Sequence, residues 1–196
     1  HGTNMQKPIQ KKSAILPQRY ILYVGTRYPY KNFDRFIKAF SLLSSKDKNL
    51  YVICTGSPFS MNEKNLFESL NISRKVMQIQ ASDELLYTLY NQAEAFVFPS
   101  LYEGFGIPIL EAYACHCPVI ISNTSCFPEI ASDAAAYFNP YSEMEIADTI
   151  ANVIYNQTLR AELIYKGSER LKLYSWEKAA LQTKEVYQKV MNNKII

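Results

Sequence analysis

The chain has 196 residues, 48% of them hydrophobic and 20% charged, with 21 Lys+Arg against 18 Asp+Glu for a net charge of +3. That length carries one substantial core and leaves little for a second domain. No apolar run approaches the roughly 20 residues of a membrane span, and so small a positive balance does not argue for nucleic acid as a partner.

Residues 1–19 are polar and lysine-rich with two prolines, the pattern of a linker, and the opening His1-Gly2 reads as a cloning remnant ahead of a fragment of a longer protein. Order is expected from Tyr20. Six short apolar runs follow, YILYVG from Tyr20, LYVICTG from Leu50, KVMQI from Lys75, AFVFPS from Ala95, PVIIS from Pro118 and AAYF from Ala135, mostly closed by Gly, Ser or Pro as buried strands are. Helical stripes lie between them: Phe33, Phe36, Ile37, Phe40 and Leu43 form one, and Leu85, Leu86, Leu89 and Tyr90 another. Beyond the last strand come three amphipathic segments, 144–157, 158–174 and 176–191, the last capped by Ser175. Their tyrosines Tyr155, Tyr165, Tyr174 and Tyr187 are expected to be packing residues rather than stacking platforms for bases. Strand followed by helix, repeated without a hairpin signal, predicts an α/β fold: a Rossmann-like, doubly wound parallel sheet of about six strands, helices on both faces and a helical C-terminal tail.

The cysteines are Cys54, Cys115, Cys117 and Cys126. Only Cys115-His116-Cys117 looks like a ligand cluster, and its spacing suits zinc poorly, so no metal site is expected. Thiols without a disulfide framework point to a reducing compartment.

In such a sheet, ligands sit at the carboxyl ends of the strands. The loop after the first strand carries Gly25, Arg27 and Lys31, and the fourth strand leads into LYEGFGIP. Pro108 suits the first position of a helix, which makes Gly104, Phe105 and Gly106 the turn ahead of it. The N–H groups of that turn are then free to meet an anion with the positive end of the helix dipole behind them. Glu111, one turn in, can accept from both hydroxyls of a vicinal diol such as ribose, or can simply be a residue favoured by the dipole; Glu103, ahead of the turn, can face another part of the ligand. Arg27 and Lys31 have no acid in their own segment apart from Asp34, and position alone leaves open a diphosphate clamp or two solvated loop charges. For Glu129, after Pro128, opening a helix is the preferred role.

The stretches YVGTRYPYKNFDRFIKAF, PSLYEGFGIPILEAYACHCPVIISNTSCFPEIASDAAAYFNP and YSWEKAALQTKEVYQKV resemble the C-terminal, nucleotide-sugar-binding domain of family 4 retaining glycosyltransferases of GT-B fold, over nearly everything from Tyr20 on. The spacing of Glu103 and Glu111 around Gly-Phe-Gly is specific in this context, whereas the GxGxxG dinucleotide signature is absent. The resemblance implies that Glu111 holds the ribose, Glu103 the transferred sugar, Arg27 and Lys31 the diphosphate, and the amides of Phe105, Gly106 and Ile107 the sugar and phosphate oxygens. It implies catalytic roles for Arg27, Lys31 and Glu103, a donor site completed by Gly25, Gly104, Phe105, Gly106, Ile107 and Glu111, no cofactor beyond the donor and no metal.

The partners it implies are a nucleoside diphosphate sugar, GDP-mannose first and a UDP sugar second, and a glycan or lipid-linked acceptor held by an absent N-terminal half. The expected location is cytoplasmic, or peripheral at the inner membrane face through that half, and residues 20–196 alone should not turn over. Another GT-B enzyme, such as a nucleotide-sugar epimerase or a phosphorylase, and a non-catalytic nucleotide-binding module are the alternatives. Three departures from the family pattern stand out: Tyr30-Lys31 where Arg-Lys is common, and His116 and Ser132 where Gly is usual.

Overall fold

A computed structural model describes residues 1–5 and 16–192. The strands are β1 (Arg19–Tyr23), β2 (Leu50–Thr55), β3 (Val76–Ile79), β4 (Ala95–Phe98), β5 (Val119–Ser122) and β6 (Ala136–Phe138). The helices are α1 (Phe33–Ser44), α2 (Met61–Ser69), α3 (Asp83–Gln92), α4 (Ile107–Ala114), α5 (Phe127–Ala131), α6 (Glu143–Ile154), α7 (Gln157–Leu171) and α8 (Trp176–Asn192). All pairings are parallel, in the order β3-β2-β1-β4-β5-β6. The doubly wound sheet of six strands follows the expectation. Its order adds the location of the crevice: the chain winds from β1 outward to β3 on one side and from β4 outward to β6 on the other. The loops after β1 and β4 therefore part at the sheet's carboxyl edge, where ligands bind in such folds.

Alternate residues of each strand serve opposite faces. Ile21, Tyr23, Val52, Cys54, Val97 and Ile120 join the core under α1 and α6, while Leu22, Ile53, Phe96, Phe98, Val119 and Ile121 join the one under α3 and α4. Phe36 and Phe40 of α1 are fully buried, and truncating either to alanine is expected to cost about 3–5 kcal/mol. Helix α2 has only Phe67 buried, so its apolar periodicity is weak; its start is set by a capping box in which Ser60 and Glu63 exchange hydrogen bonds.

The tail departs from expectation. Ser175 caps α8 as anticipated, its hydroxyl accepting from the Lys178 N–H at 3.1 Å, but α8 has no buried residue. Of the tail's tyrosines, Tyr174 packs edge-on against Phe105 and Tyr155 hydrogen-bonds Asp47, whereas Tyr165 and Tyr187 are about two-thirds exposed and are not packing residues. Amphipathic periodicity says where an apolar stripe lies on a helix; it does not say that a surface covers it. Of the expected linker, residues 6–15 lie outside the described residues, while Gly2 is buried and the His1 ring stands 4.3 Å from that of Phe105. Among the described residues no helix is long and apolar enough to cross a membrane.

Candidate donor-binding site

The loops after β1 and β4 meet through an ion pair. Lys31 ends a single 3-10 turn, Pro29–Lys31, and its Nζ lies 2.6 Å from Oε1 of Glu103, with only 15% and 14% of the two side chains exposed. Lys31 also stands 5.4 Å over the Phe98 ring at the end of β4. The left-handed Asn32 that follows turns the chain into α1, and its amide is anchored on the Pro140 carbonyl at 2.7 Å.

Arg27 from the same loop is not a solvated charge either: its side chain is 6% exposed and its guanidinium lies 4.9 and 5.5 Å from the ring centres of Phe59 and Phe33. Both cations have acid partners after all, supplied by other segments. Arg27 pairs through Nε with Glu63 in the first turn of α2, and its Nη2 donates to the carbonyls of Ser57 and Pro58 at 2.7 and 3.0 Å. Its Nη1 is buried without a partner. Gly25, at φ 121, leaves open space where a side chain would stand.

The turn ahead of α4 is built as anticipated, with one shift. Ile107 is the first helical residue and Pro108 the second, because Gly106 takes the N-cap position in the left-handed region at φ 94. No side chain caps the helix; the Ile109 N–H turns back to the Gly106 carbonyl at 2.9 Å and Pro108 has no N–H, which leaves the Ile107 N–H as the open donor of its first three residues. What holds the turn is the loop after β5. The Ser125 hydroxyl donates to the Glu103 carbonyl at 2.8 Å and accepts from the Glu103 N–H at 3.2 Å, the Cys126 thiol reaches the carbonyls of Glu103 and Phe105, and Thr124 donates to Leu101. These side chains engage the turn's carbonyls, not the amides of Phe105, Gly106 and Ile107. The sequence reading weighed Glu129 here as a helix opener or a ligand contact and assigned nothing to residues 123–126, whose run of small hydroxyl and thiol side chains was the available signal. Pro128 and Glu129 do lie in the first turn of α5.

Glu111 sits deeper, on α4. Its Oε2 accepts from the buried Tyr90 hydroxyl at 3.0 Å. Burial raises its pKa, the Tyr90 hydrogen bond opposes that, and Asp83 at the start of α3 adds to it, for a net rise above the usual carboxylate range. Beside the ends of β2 and β3 a cavity of about 450 Å³ is lined by Thr55, Gly56, Ser57, Pro58, Gln80, Ala81 and Leu86. Glu103 and Glu111, eight residues apart, thus differ in setting: one is salt-bridged at the crevice mouth, the other is desolvated behind it.

Among the described residues no three His, Cys, Asp or Glu side chains come together in a metal-holding group. Cys115 and Cys117 are buried, with thiol pKa values raised by burial, to about 12 for Cys115, while His116 is exposed and meets Ser168 at 3.3 Å. His116 and Ser132 both hold positive φ, 54 and 51, so these two departures from glycine fall where the backbone favours it.

Residues 5–170 match the family model of the group 1 glycosyl transferases. The chain is 32% identical over 184 residues to O-antigen chain mannosyltransferase B of Escherichia coli, covering 92% of this chain and 48% of that protein. It is 35% identical over 154 residues to O-antigen chain mannosyltransferase RfbU of Salmonella typhimurium, covering 78% and 42%. The chain therefore spans about half the length of the curated relatives it matches. In fold it is similar to a sucrose-phosphate synthase from Thermosynechococcus elongatus, with a TM-score of 0.79 at 24% identity over 90% of this chain and 46% of that one. It is also similar to the C-terminal domain of a group 1 glycosyl transferase (LpcC) from Francisella tularensis, with a TM-score of 0.72 at 23% identity over 88% and 97%.

Proposed function

The chain belongs to the group 1 glycosyl transferases, and from that premise we propose that it is the donor-binding half of a retaining hexosyltransferase. The donor is a nucleoside diphosphate sugar, GDP-mannose first and a UDP sugar second; the acceptor is a glycan or lipid-linked sugar held by another part of the whole protein. Two relatives named as mannosyltransferases support the choice of mannose.

The observation that carries the reading is the meeting of Lys31 and Glu103 at the crevice, beside the uncapped start of α4. A diphosphate laid across that crevice reaches a cation from the β1 loop and helix N–H groups from the β4 loop. As the glycosyl bond breaks, negative charge grows on the leaving phosphate. Lys31, Arg27 and the amides of Phe105, Gly106 and Ile107 stabilise it where it develops, so the step needs no metal to neutralise it. Glu103, released by Lys31 as the diphosphate takes the ammonium, accepts from the sugar's hydroxyls. Glu111 takes the ribose hydroxyls, with Gly25 leaving room for the backbone to approach. The leaving phosphate accepts the proton of the incoming hydroxyl, and the base lies along the cavity lined by Gln80 and Ala81.

A thermal-shift screen against GDP, UDP, ADP and their sugars tests this. A ligand that binds only the folded state at 100 times its Kd raises stability by about 2.7 kcal/mol. GDP and GDP-mannose are expected to give the largest shifts; no shift with any nucleoside diphosphate overturns the reading.

A further inference from the structure

Arg27 is the most constrained cation at the crevice, and its constraints leave one edge over. Nε is taken by Glu63 and Nη2 by two carbonyls, while Nη1 is buried with nothing to donate to. A buried N–H without an acceptor is costly, and one on a charged group more so. That edge lies 3.8 Å from the point a Cβ on Gly56 would occupy, and the Gly25 carbonyl is 2.8 Å from the same point. Gly56 is at φ 101, and a Cβ there would collide with the Gly25 carbonyl, so only glycine lets the two backbones close together beside that edge. That orphaned guanidinium edge is closed off by two glycine backbones at the ends of β1 and β2, and a phosphate oxygen completes it where those backbones, freed of side chains, give way.

What fixes that edge is Glu63, a residue outside the crevice loops. Its Oε1 takes Arg27, and its Oε2 accepts from the Ser60 N–H at 2.6 Å and the Ser60 hydroxyl at 2.8 Å. Burial opposes its ionisation, but the hydrogen bonds from Arg27 and Ser60 outweigh it and hold its carboxyl below the usual range. Glu63 is thus ionised, used on both oxygens and attached to the first turn of a helix. Without its charge the guanidinium is an uncompensated buried cation that gains by turning out to water.

We infer that Glu63 is a positioning residue for the donor's diphosphate: it holds Arg27 by Nε so that Nη1 is the edge left between Gly25 and Gly56, and the Ser60 N–H on its other oxygen, at 2.6 Å, keeps that orientation rigid. This rests on the proposed donor-binding function, and in particular on Arg27 as a diphosphate ligand. Glu63 touches no substrate.

The test compares Arg27→Ala, Glu63→Gln and Ser60→Ala in calorimetric titrations with GDP and guanosine, and with UDP and uridine. Arg27→Ala is expected to weaken the diphosphate by roughly tenfold or more and the nucleoside hardly at all. Glu63→Gln should reproduce most of that selective loss. Ser60→Ala, which damages the same cap but leaves the Glu63 carboxylate on Arg27, should lower the melting temperature while leaving diphosphate affinity within about twofold. If Glu63→Gln behaves as Ser60→Ala does, Glu63 is a capping residue and the inference fails while Arg27 keeps its role. If Arg27→Ala itself spares the diphosphate, the reading beneath the inference has failed.

Discussion

The two ends of the strands carry similar charges and treat them oppositely. At the amino edge, Arg19 donates to Asp47 at 2.7 Å and to Glu94 at 3.0 Å, Arg160 reaches the other oxygen of Glu94 and the Ala93 carbonyl, and Tyr155 adds a hydrogen bond to Asp47 at 2.8 Å. Each carboxylate there serves two donors. At the carboxyl edge Lys31 and Glu103 have one another, Arg27 keeps an unpartnered nitrogen, and the buried hydroxyls of Ser100 and Ser122 are also without partners. A native fold satisfies nearly all buried polar groups, so three unsatisfied ones along one edge distinguish it from the other. The amino edge is a staple closing the sheet; the carboxyl edge is where the proposed donor site lies.

The largest effect expected at the amino edge is on stability. Glu94→Ala takes one partner from each of two arginines, leaving Arg19 on Asp47 and Arg160 on the Ala93 carbonyl, and since both are about a third exposed the cost of breaking a buried pair must be discounted, to about 2 kcal/mol. Thermal unfolding should show a fall of several degrees, while the shift given by GDP should survive; a lost GDP shift breaks the distinction between the edges. Lys31→Ala should weaken nucleoside diphosphate binding by roughly tenfold, and because it leaves the Glu103 carboxylate, 14% exposed, without its cation it should also lower stability, by about 2 kcal/mol. A large fall in melting temperature with unchanged affinity would make Lys31 a staple too.

Next in size is strain. Ser132 precedes β6 and His116 precedes β5, both on the amino side and both at positive φ. Replacing either with glycine is expected to stabilise the fold, by up to about 1 kcal/mol each, without changing ligand affinity. Equilibrium denaturation in urea measures this, and destabilisation by both would show that their side chains outweigh the backbone.

The smallest effect concerns Glu111. Its pKa in the fold is raised, so its ionisation works against the fold: the stability it gives is fully present below the unfolded pKa and lost as pH rises through the folded value. A ribose diol prefers the carboxylate form as acceptor. Affinity for a ribonucleotide should therefore fall as pH drops through that raised pKa, a 2′-deoxy ligand should show less of the fall, and Glu111→Gln should flatten it. Glu103→Gln should instead spare the diphosphate and reduce the affinity added by the sugar. A pH profile identical for ribo and deoxy ligands counts against Glu111 as the ribose residue.

Much of the fold was legible because buried parallel strands are short apolar runs and α1 is a long clean stripe. Helix α2 was not read, since one buried residue cannot make a period; Ser60-x-x-Glu63 was the signal that could have found it. The two glutamates and the two cations were legible as candidates, being local to glycine-bearing loops. Their partners were not: Glu63 lies 36 residues from Arg27, Glu103 72 from Lys31, and Tyr90 21 from Glu111. Such pairings follow from strand order, which short apolar runs leave undetermined. The tail shows the opposite limit, since the stripe on α8 was visible while its lack of cover was not.

One contact near that tail makes the molecule self-reporting. The chain has a single tryptophan, Trp176, at the first position of α8. Its ring lies 5.8 Å from that of His1, His1 lies 4.3 Å from Phe105, and Tyr174 stacks edge-on to Phe105 from the other direction. Phe105 is the middle residue of the glycine turn ahead of α4. The imidazole between them belongs to the segment read above as a cloning remnant, so the expected readout concerns this chain as it stands: a change in the intrinsic fluorescence of Trp176, with no label attached, when a nucleoside diphosphate is added.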